Sequence, residues 1–385
     1  MACRQTEKNE EVRFDATFTV EYRHTVLWTH RLFDAANTVL ADFLHERGIT
    51  SLFIVIDSKL ERLCPTLKAD CVAYLKAADI KLTAWKAVAG GEKLKTDNGE
   101  GVLAIQKLAA KKHMSRTNAF MAIGGGALLD AVGYAAATFH RGARLIRVPT
   151  TVLAQCDSAM GVKNGLDLGS LKNAVGTFAV PTAVICDLEF LKLLPEKVFR
   201  EGFSELVKVA AIRDKRLLEE FVKSNELICK RVPDVYERFV IASARLHYDH
   251  IVSGGDPFER GNGRPLDFGH WLAHRLEEAS GYTISHGEAV AVGVCLDAQF
   301  AMGANFITSD DFSLIIEALE RCGLRNAWEK ARQFMGKNDL ELALDEFREH
   351  LGGKLLLTFP NPLGKSIDVP FDDKRMKSAL IKDWR

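Results

Sequence analysis

The chain has 385 residues, of which 47% are hydrophobic, and its 51 basic and 51 acidic side chains give a formal net charge of zero. A chain of this length can bury a large core and is expected to form about two domains. Zero net charge gives no electrostatic reason to expect binding to nucleic acid or to an anionic membrane surface. No apolar run reaches the ~18 residues of a membrane span, and residues 1–11 are polar, unlike a signal peptide, so a cytoplasmic location is expected.

The eight cysteines include no Cys-x-x-Cys pair and lie mostly among apolar neighbours. This usage is typical of reduced thiols in a core. We therefore expect neither disulfides nor a cysteine metal site.

Apolar runs alternate with amphipathic segments through the first half of the chain. Residues 51–57 read as a buried strand between helical segments at 36–47 and 67–78. The later elements of this half are strands at 80–88, 119–123, 144–148 and 183–187, with a helix at 98–112. Strands that alternate with helices at this spacing predict an α/β domain with a parallel sheet covered on both faces.

Three consecutive glycines, Gly124, Gly125 and Gly126, stand where the strand at 119–123 ends and a helical segment begins. Such a turn lets the backbone approach a pyrophosphate at a helix N-terminus, although a tight structural turn is an alternative and the Gly-x-Gly-x-x-Gly pattern is absent. Asp57 ends the first buried strand, where its carboxylate could accept a ribose hydroxyl or cap a helix.

Residues 148–176 are polar, with hydroxyl, amide and lysine side chains interleaved with glycines. We predict a loop that binds a phosphorylated polyol, with solvated surface lysines as the alternative. Helical patterns dominate from Leu191 onward, and residues 355–357 are one of few strand candidates there. The predicted domains are therefore 1–187, an α/β domain, and 188–385, an α-helical domain.

Three histidines in the second half fall within seventeen residues. His270 and His274 lie one turn apart if their segment is helical, and His286 opens a second helical run. Earlier in the chain, Glu205 and Lys208 stand three residues apart in an apolar helix, where a simple ion pair is possible. Two imidazoles and one carboxylate, from His270, His286 and Glu205, would suit a zinc ion with open positions for a ligand. The alternative is that each histidine packs or caps a helix.

The order of these motifs resembles the sugar phosphate cyclases, a family whose best-known members are the 3-dehydroquinate synthases. The resemblance runs from about Asp57 to Val290 and includes a Gly-Glu-x-x-Lys segment with Glu92 and Lys95. It implies an N-terminal NAD-binding domain, a helical metal-binding domain and an active site between them. It also implies a homodimer and an Arg141 that reaches a substrate phosphate, with the phosphate bound to the other subunit as one alternative.

The same resemblance assigns roles to individual residues. The implied ligands of Zn²⁺, or of Co²⁺, are Glu205, His270 and His286. The implied NAD contacts are Asp57, Glu92, Lys95, Gly124, Gly125, Gly126, Asp130, Thr150 and Thr151. The residues implied to surround the substrate are Asp157, Lys163, Lys172, Asn173, Lys208 and His274, of which Asp157, Lys163, Lys208 and His274 are the expected catalytic groups.

The family's chemistry requires these residue types together. NAD⁺ transiently oxidises a metal-polarised alcohol, the neighbouring C–H becomes acidic, phosphate leaves, the hydride returns and an aldol step closes the ring. A neutral histidine such as His274 suits proton relay near pH 7. Phosphate is held by lysines until it departs.

Departures from the family pattern concern the substrate carboxylate. An asparagine and a lysine that bind it in 3-dehydroquinate synthases align with Asp267 and Asp249 here, and the expected arginine aligns with Gly263, next to Arg264. Carboxylates facing a third carboxylate repel it, so we expect a substrate without a C1 carboxylate, such as sedoheptulose 7-phosphate. Arg264 could still restore carboxylate binding. The alternatives are a true 3-dehydroquinate synthase and an NAD-dependent, metal-containing polyol dehydrogenase.

Overall fold

The computed structural model describes residues 14–169, 171–254, 256–260, 264–382 and 384. The strands found there are β1 (Val26–Thr29), β2 (Ser51–Asp57), β3 (Lys81–Val88), β4 (Ala119–Gly124), β5 (Arg144–Pro149), β6 (Lys163–Leu168), β7 (Leu171–Phe178), β8 (Ala183–Asp187), β9 (Leu356–Pro360) and β10 (Ser366–Pro370). Six of them form one sheet in the order β1-β8-β5-β4-β2-β3, with every neighbouring pair parallel. The predicted parallel sheet is confirmed.

Helices flank the sheet and make up most of the second half. They are α1 (Val39–Glu46), α2 (Ser58–Leu63), α3 (Leu67–Ala77), α4 (Lys93–Thr96), α5 (Glu100–Lys111), α6 (Gly126–Thr138), α7 (Glu196–Glu201), α8 (Ser204–Arg213), α9 (Lys215–Cys229), α10 (Pro233–Ser253), α11 (His270–Ala279), α12 (His286–Gly303), α13 (Ser309–Arg321), α14 (Ala327–Ala331), α15 (Lys337–His350) and α16 (Lys374–Ile381). The expected helical C-terminal region is confirmed.

The central strands are buried on both faces, as their continuous apolar runs predict. Phe53 and Val55 of β2 pack with residues of α5 and α6, whereas Leu52, Ile54 and Ile56 pack with residues of α1 and α3 on the opposite face. This division follows from the alternation of side chains along a strand. Because all the strands of this sheet are parallel, their carboxyl ends lie at one edge of the sheet.

The segment predicted as a loop at 148–176 instead contains the antiparallel hairpin of β6 and β7. The sequence of this hairpin shows no regular alternation of apolar residues. Most of β7 is exposed, and the buried residues of β6 include the polar Asn164 and Asp167. Gly176 allows the two strands to approach, since a Cβ there would lie 2.7 Å from the Asn164 carbonyl oxygen. The prediction of a loop was therefore wrong.

The backbone at the start of α11 lies in close contact with the backbone of α12. Gly269 precedes α11 with φ of +76°, a left-handed conformation that favours glycine. A Cβ on Gly293 of α12 would lie 1.9 Å from the Gly269 carbonyl oxygen. The two backbones are therefore in direct contact, and the crossing sets the distance between the two helices.

In the described part of the chain, no helix is long and apolar enough to cross a membrane. The seven cysteines of that part are free thiols. Cys3 and the polar residues 1–11 lie outside the described residues.

Substituting Gly293 by alanine should destabilise the protein, because the new methyl group would meet backbone that cannot move aside. The expected loss is about 1–3 kcal/mol or more, measured as a fall in denaturant midpoint. The matched control is Gly303→Ala at the end of the same helix, where a Cβ would have no neighbour within 4 Å. Equal stability of the two variants would contradict the close crossing.

Candidate active site

Glu205, His270 and His286 meet at one point although they come from three helices, α8, α11 and α12. Oε1 of Glu205 lies 3.3 Å from Nε2 of His286 and 3.5 Å from Nε2 of His270. Ligand atoms around a tetrahedral Zn²⁺ with bonds of about 2.0–2.1 Å are separated by roughly 3.3 Å. The three side chains therefore fit a zinc or cobalt ion.

The carboxylate of Glu205 is fully buried and lies among cationic partners. Its Oε2 is 2.6 Å from Nζ of Lys208, which leaves Oε1 facing the two histidines. Burial alone would raise the pKa of Glu205, but Lys208 and His270 hold it well below its usual range. Burial alone would lower the pKa of Lys208, but Asp157 and Glu205 raise it, so the pair is ionised.

The two histidines are oriented through their other ring nitrogens. Nδ1 of His270 lies 3.4 Å from the Phe268 carbonyl oxygen, and Nδ1 of His286 lies 3.1 Å from Oε2 of Glu277. A histidine held in this way presents Nε2 to a metal. Burial would lower the pKa of His286, but Glu277 and Glu205 raise it to about 10, which reflects a strongly negative potential at this position.

Two other groups of ligand-type side chains share these residues: His274 with Glu277 and His286, and Asp157 with Glu205 and His247. In the first group, both oxygens of Glu277 already have partners, His286 and Lys172. In the second, His247 faces Oε2 of Glu205, the oxygen that Lys208 already contacts at 2.6 Å, whereas His270 and His286 face Oε1. The group of Glu205, His270 and His286 is therefore the best metal site.

The four expected catalytic residues do not all lie equally close to this group. His274 is one turn beyond His270, and their ring centres are 5.6 Å apart. Burial and Lys172 hold the pKa of His274 well below its usual value, so the imidazole is neutral near pH 7. Lys208 and Asp157 border Glu205, whereas Lys163 lies on β6 in a separate group of charges.

The glycine triplet lies at the end of β4, and Gly126 is the first residue of α6. Gly125 is the N-cap and no side chain caps this terminus, so its N–H groups are available to an anion. One turn into α6, Asp130 accepts a hydrogen bond from Nζ of Lys95 at 3.1 Å. This arrangement fits the pyrophosphate of a dinucleotide.

Asp57 and the two threonines border the triplet in different ways. The Thr150 N–H donates to the Gly124 carbonyl, and Oγ1 of Thr151 accepts from the Ala154 N–H. The Asp57 carboxylate accepts from the Lys59 N–H at 2.7 Å and so caps α2. Of the two roles considered for Asp57 in the sequence analysis, the structure shows the helix cap.

The hairpin of β6 and β7 connects the dinucleotide side to the metal side through Lys172 and Asn173. Nζ of Lys172 lies 3.0 Å from Oε1 of Glu277 and 3.9 Å from Oε2 of Glu92. Oδ1 of Asn173 accepts a hydrogen bond from Lys95. The hairpin is thus held by charged contacts to both halves of the chain.

Asp267 belongs to a group of charged side chains that we call the Asp267 cluster, made up of Lys163, Glu259, Arg264, Asp267 and His350. Lys163 lies 2.5 Å from Glu259, and Nε of Arg264 lies 3.5 Å from the same carboxylate. Burial would raise the pKa of Asp267, but Lys163, His270 and Arg264 lower it, so Asp267 is ionised. It caps no helix, because Gly269 occupies the N-cap of α11.

Two positions considered in the sequence analysis, Asp249 and Arg141, lie away from this cluster. Asp249 is on the outer face of α10, where Nε of Arg245 lies 2.7 Å from its carboxylate, so it is not part of the Asp267 cluster and nothing supports the expectation that it faces the substrate beside Asp267. Arg141 is exposed beyond the far end of α6, which places it roughly 18 Å from the glycine triplet at 1.5 Å per residue. Gly263 lies outside the described residues.

Sequence reasoning missed Glu277, Glu259 and His247. Glu277 could have been found, because it follows His270 and His274 at helical spacing, seven and three residues later. His247 is fully buried on α10, with Nε2 3.4 Å from Asp157. No local pattern marks His247, since its role depends on how α10 packs.

Replacing Glu277 by glutamine should weaken metal binding about 10–100-fold, because His286 loses the charged partner that orients its ring. The measurement is Zn²⁺ or Co²⁺ affinity by competition with a chelator. Glu278→Gln is the matched control, since Glu278 lies beside Glu277 in α11 and its carboxylate accepts a hydrogen bond from Arg275 rather than from His286. A similar loss in both variants would argue against an orienting role for Glu277.

Comparisons with known proteins agree with this geometry. Residues 86–201 match the family described as 3-dehydroquinate synthase N-terminal, and residues 202–342 match 3-dehydroquinate synthase C-terminal. A 3-dehydroquinate synthase of Symbiobacterium thermophilum is 36% identical over 272 residues, which cover 69% of this chain and 74% of the relative.

Two solved structures share the fold across nearly the whole chain. A 2-epi-5-epi-valiolone synthase from Streptomyces hygroscopicus subsp. jinggangensis, with NAD⁺ and Zn²⁺ bound, superposes with a TM-score of 0.86 at 23% identity, covering 96% of this chain and 99% of that one. A 2-deoxy-scyllo-inosose synthase with carbaglucose-6-phosphate, NAD⁺ and Co²⁺ gives 0.71 at 22% identity, covering 93% and 96%. The chain belongs to the 3-dehydroquinate synthase family of sugar phosphate cyclases, which are phosphate-eliminating lyases.

Proposed function

We propose that this cyclase acts on a C7 ketose phosphate that has no C1 carboxylate, of the sedoheptulose 7-phosphate type, and releases inorganic phosphate and a carbocycle. The observation that carries the proposal is the charge of the Asp267 cluster. Its two cations, Lys163 and Arg264, are balanced by Glu259 and Asp267.

A balanced cluster has no surplus positive charge for a substrate carboxylate. Both cations of the cluster already compensate an acid, so a third carboxylate would bring a charge without a partner cation and is disfavoured relative to an uncharged group. Hydroxyl groups can instead donate hydrogen bonds to Asp267, which favours a polyol head group.

The proposed cofactors are NAD and one Zn²⁺ or Co²⁺ ion. When bound, they supply a hydride acceptor and a Lewis acid. Glu205, His270 and His286 would hold the ion, and the uncapped N-terminus of α6 at Gly125 would receive the pyrophosphate. The capping contact of Asp57 does not prevent a ribose hydroxyl from reaching its second oxygen.

The remaining side chains bind the substrate and move protons. Neutral His274 can accept a proton from one substrate atom and return it to another. Lys208, held between Glu205 and Asp157, supplies a fixed positive charge beside a developing oxyanion. Lys172 and Asn173 on the hairpin would enclose the substrate from the opposite side.

Three further expectations are proposals of the same kind. The domains are 1–187 and 188–385, the protein is cytoplasmic, and two copies form a homodimer. The exposed position of Arg141, away from the glycine triplet of its own chain, supports a contact to the phosphate in the partner's site.

A 3-dehydroquinate synthase is the second candidate. Nε and Nη1 of Arg264 are buried and have no hydrogen-bond partner in the described part of the chain. A guanidinium with free donors suits a carboxylate. A polyol dehydrogenase is the third candidate, and it differs by producing NADH.

The test is to incubate the protein with NAD⁺, Zn²⁺ or Co²⁺, and either sedoheptulose 7-phosphate or 3-deoxy-arabino-heptulosonate 7-phosphate. We expect phosphate release from the first and no net NADH absorbance. Release from the second alone would establish the 3-dehydroquinate synthase alternative, and steady NADH formation from a polyol would establish a dehydrogenase.

Asp267→Asn should shift preference toward the carboxylate-bearing substrate, because it leaves the cluster with one uncompensated positive charge. We expect the ratio of kcat/KM values for the two substrates to change by about tenfold or more, equivalent to about 1.4 kcal/mol. Asp249→Asn is the matched control, since it removes the same charge from the outer face of α10. An unchanged ratio in Asp267→Asn would contradict the role of Asp267 in specificity.

A further inference from the structure

One buried carboxylate, that of Asp297 on α12, holds both chain neighbours of His270. Its Oδ2 accepts a hydrogen bond from the Gly269 N–H at 2.8 Å, and its Oδ1 accepts from Nε1 of Trp271 at 2.9 Å. Gly269 and Trp271 flank His270 directly in the chain. The residues before and after His270 in the chain are therefore bound by the same carboxylate, Gly269 through its backbone N–H and Trp271 through its indole N–H.

The position of Asp297 along α12 explains this reach. His286, Gly293 and Asp297 are separated by seven and four residues, so they lie along one face of the helix. That face is the one that meets the start of α11, because Gly293 contacts the Gly269 carbonyl. One face of α12 thus contains three residues with separate roles: His286 is a candidate metal ligand, Gly293 contacts the backbone of Gly269, and Asp297 binds the beginning of α11.

A carboxylate is a costly residue at this position. Asp297 is 1% exposed, and no lysine, arginine or histidine of the described residues lies within ion-pairing distance of it. Burial raises its pKa to about 7, although the hydrogen bonds from Trp271 and Gly269 act in the opposite direction. Apolar residues would pack the helices without this cost, so packing alone does not account for an acid here.

We propose that Asp297 is a positioning residue of the metal site. By fixing the Gly269 backbone and the Trp271 ring, it holds His270 at the first position of α11 with Nε2 directed at Glu205. The inference rests on the proposed role of His270 as a metal ligand. Asp297 itself touches neither the metal position nor the substrate.

The test compares Co²⁺ affinity, the visible absorption spectrum of bound Co²⁺ and the melting temperature across five proteins. They are the wild type, Asp297→Asn, Trp271→Phe, Leu296→Ala and His270→Ala. Asparagine keeps one acceptor oxygen but places an N–H₂ group against the second donor, and Trp271→Phe removes the indole donor together with part of the buried ring volume. Leu296→Ala is the control, because Leu296 is a buried core residue next to Asp297 whose loss lowers stability without reaching His270.

We expect Asp297→Asn to weaken Co²⁺ binding about tenfold or more and to alter the spectrum, with a smaller effect in Trp271→Phe. Leu296→Ala should lower the melting temperature and leave affinity and spectrum unchanged. If Asp297→Asn binds Co²⁺ with wild-type affinity while His270→Ala loses binding, the role of Asp297 is overturned and the proposed metal site stands. Retained binding in His270→Ala would overturn the proposed metal site and this inference together.

Discussion

The active site depends on one carboxylate that has no contact with solvent. Burying the charge of Glu205 is unfavourable unless cations surround it, and Lys208 compensates for it only on one side. The other oxygen faces two imidazoles, an arrangement that a divalent cation would complete. The helices that carry these groups, α8, α11 and α12, form the centre of the C-terminal core. The stability of that core and the proposed affinity for a metal therefore both depend on residues of these three helices.

The two halves of the chain are joined at the site by a series of charges. Glu92 and Lys172 come from the N-terminal half, and Glu277 and His286 come from the helical half. Each member contacts the next at 3.9, 3.0 and 3.1 Å. The hairpin of β6 and β7 is held by this series, by Lys163 with Glu259, and by the buried Arg147, which donates to the Lys163 carbonyl and to Oδ1 of Asn164. Such contacts orient groups more than they add stability.

Local patterns were sufficient for five of the six strands of the sheet, for the glycine turn and for the helical spacing of the histidines, but they did not predict the short, half-buried β1. They failed where position depends on packing between distant elements. Asp249 lies on the outer side of α10, one turn after Arg245, and its side chain is partly exposed to solvent. An alignment of sequence positions does not reveal which face of a helix is turned outward. Asp297 looks like an ordinary helix residue until its contact with Gly269, 28 positions earlier, is known. The hairpin was missed because it lacks an apolar face.

The direct backbone contact between Gly269 and Gly293 has a consequence for which ions the protein can use. His270 and His286 are each the first residue of a helix, and at the crossing itself the backbones of Gly269 and Gly293 meet with no side chain of either residue between them. The main chain therefore contributes directly to the separation of the two imidazoles. A site of fixed span and few ligands suits small ions that accept nitrogen donors at about 2.0 Å, and it excludes Ca²⁺, which needs six to eight oxygens at roughly 2.3–2.6 Å. In the proposed metal site, the helix crossing would therefore help to decide which cations can bind.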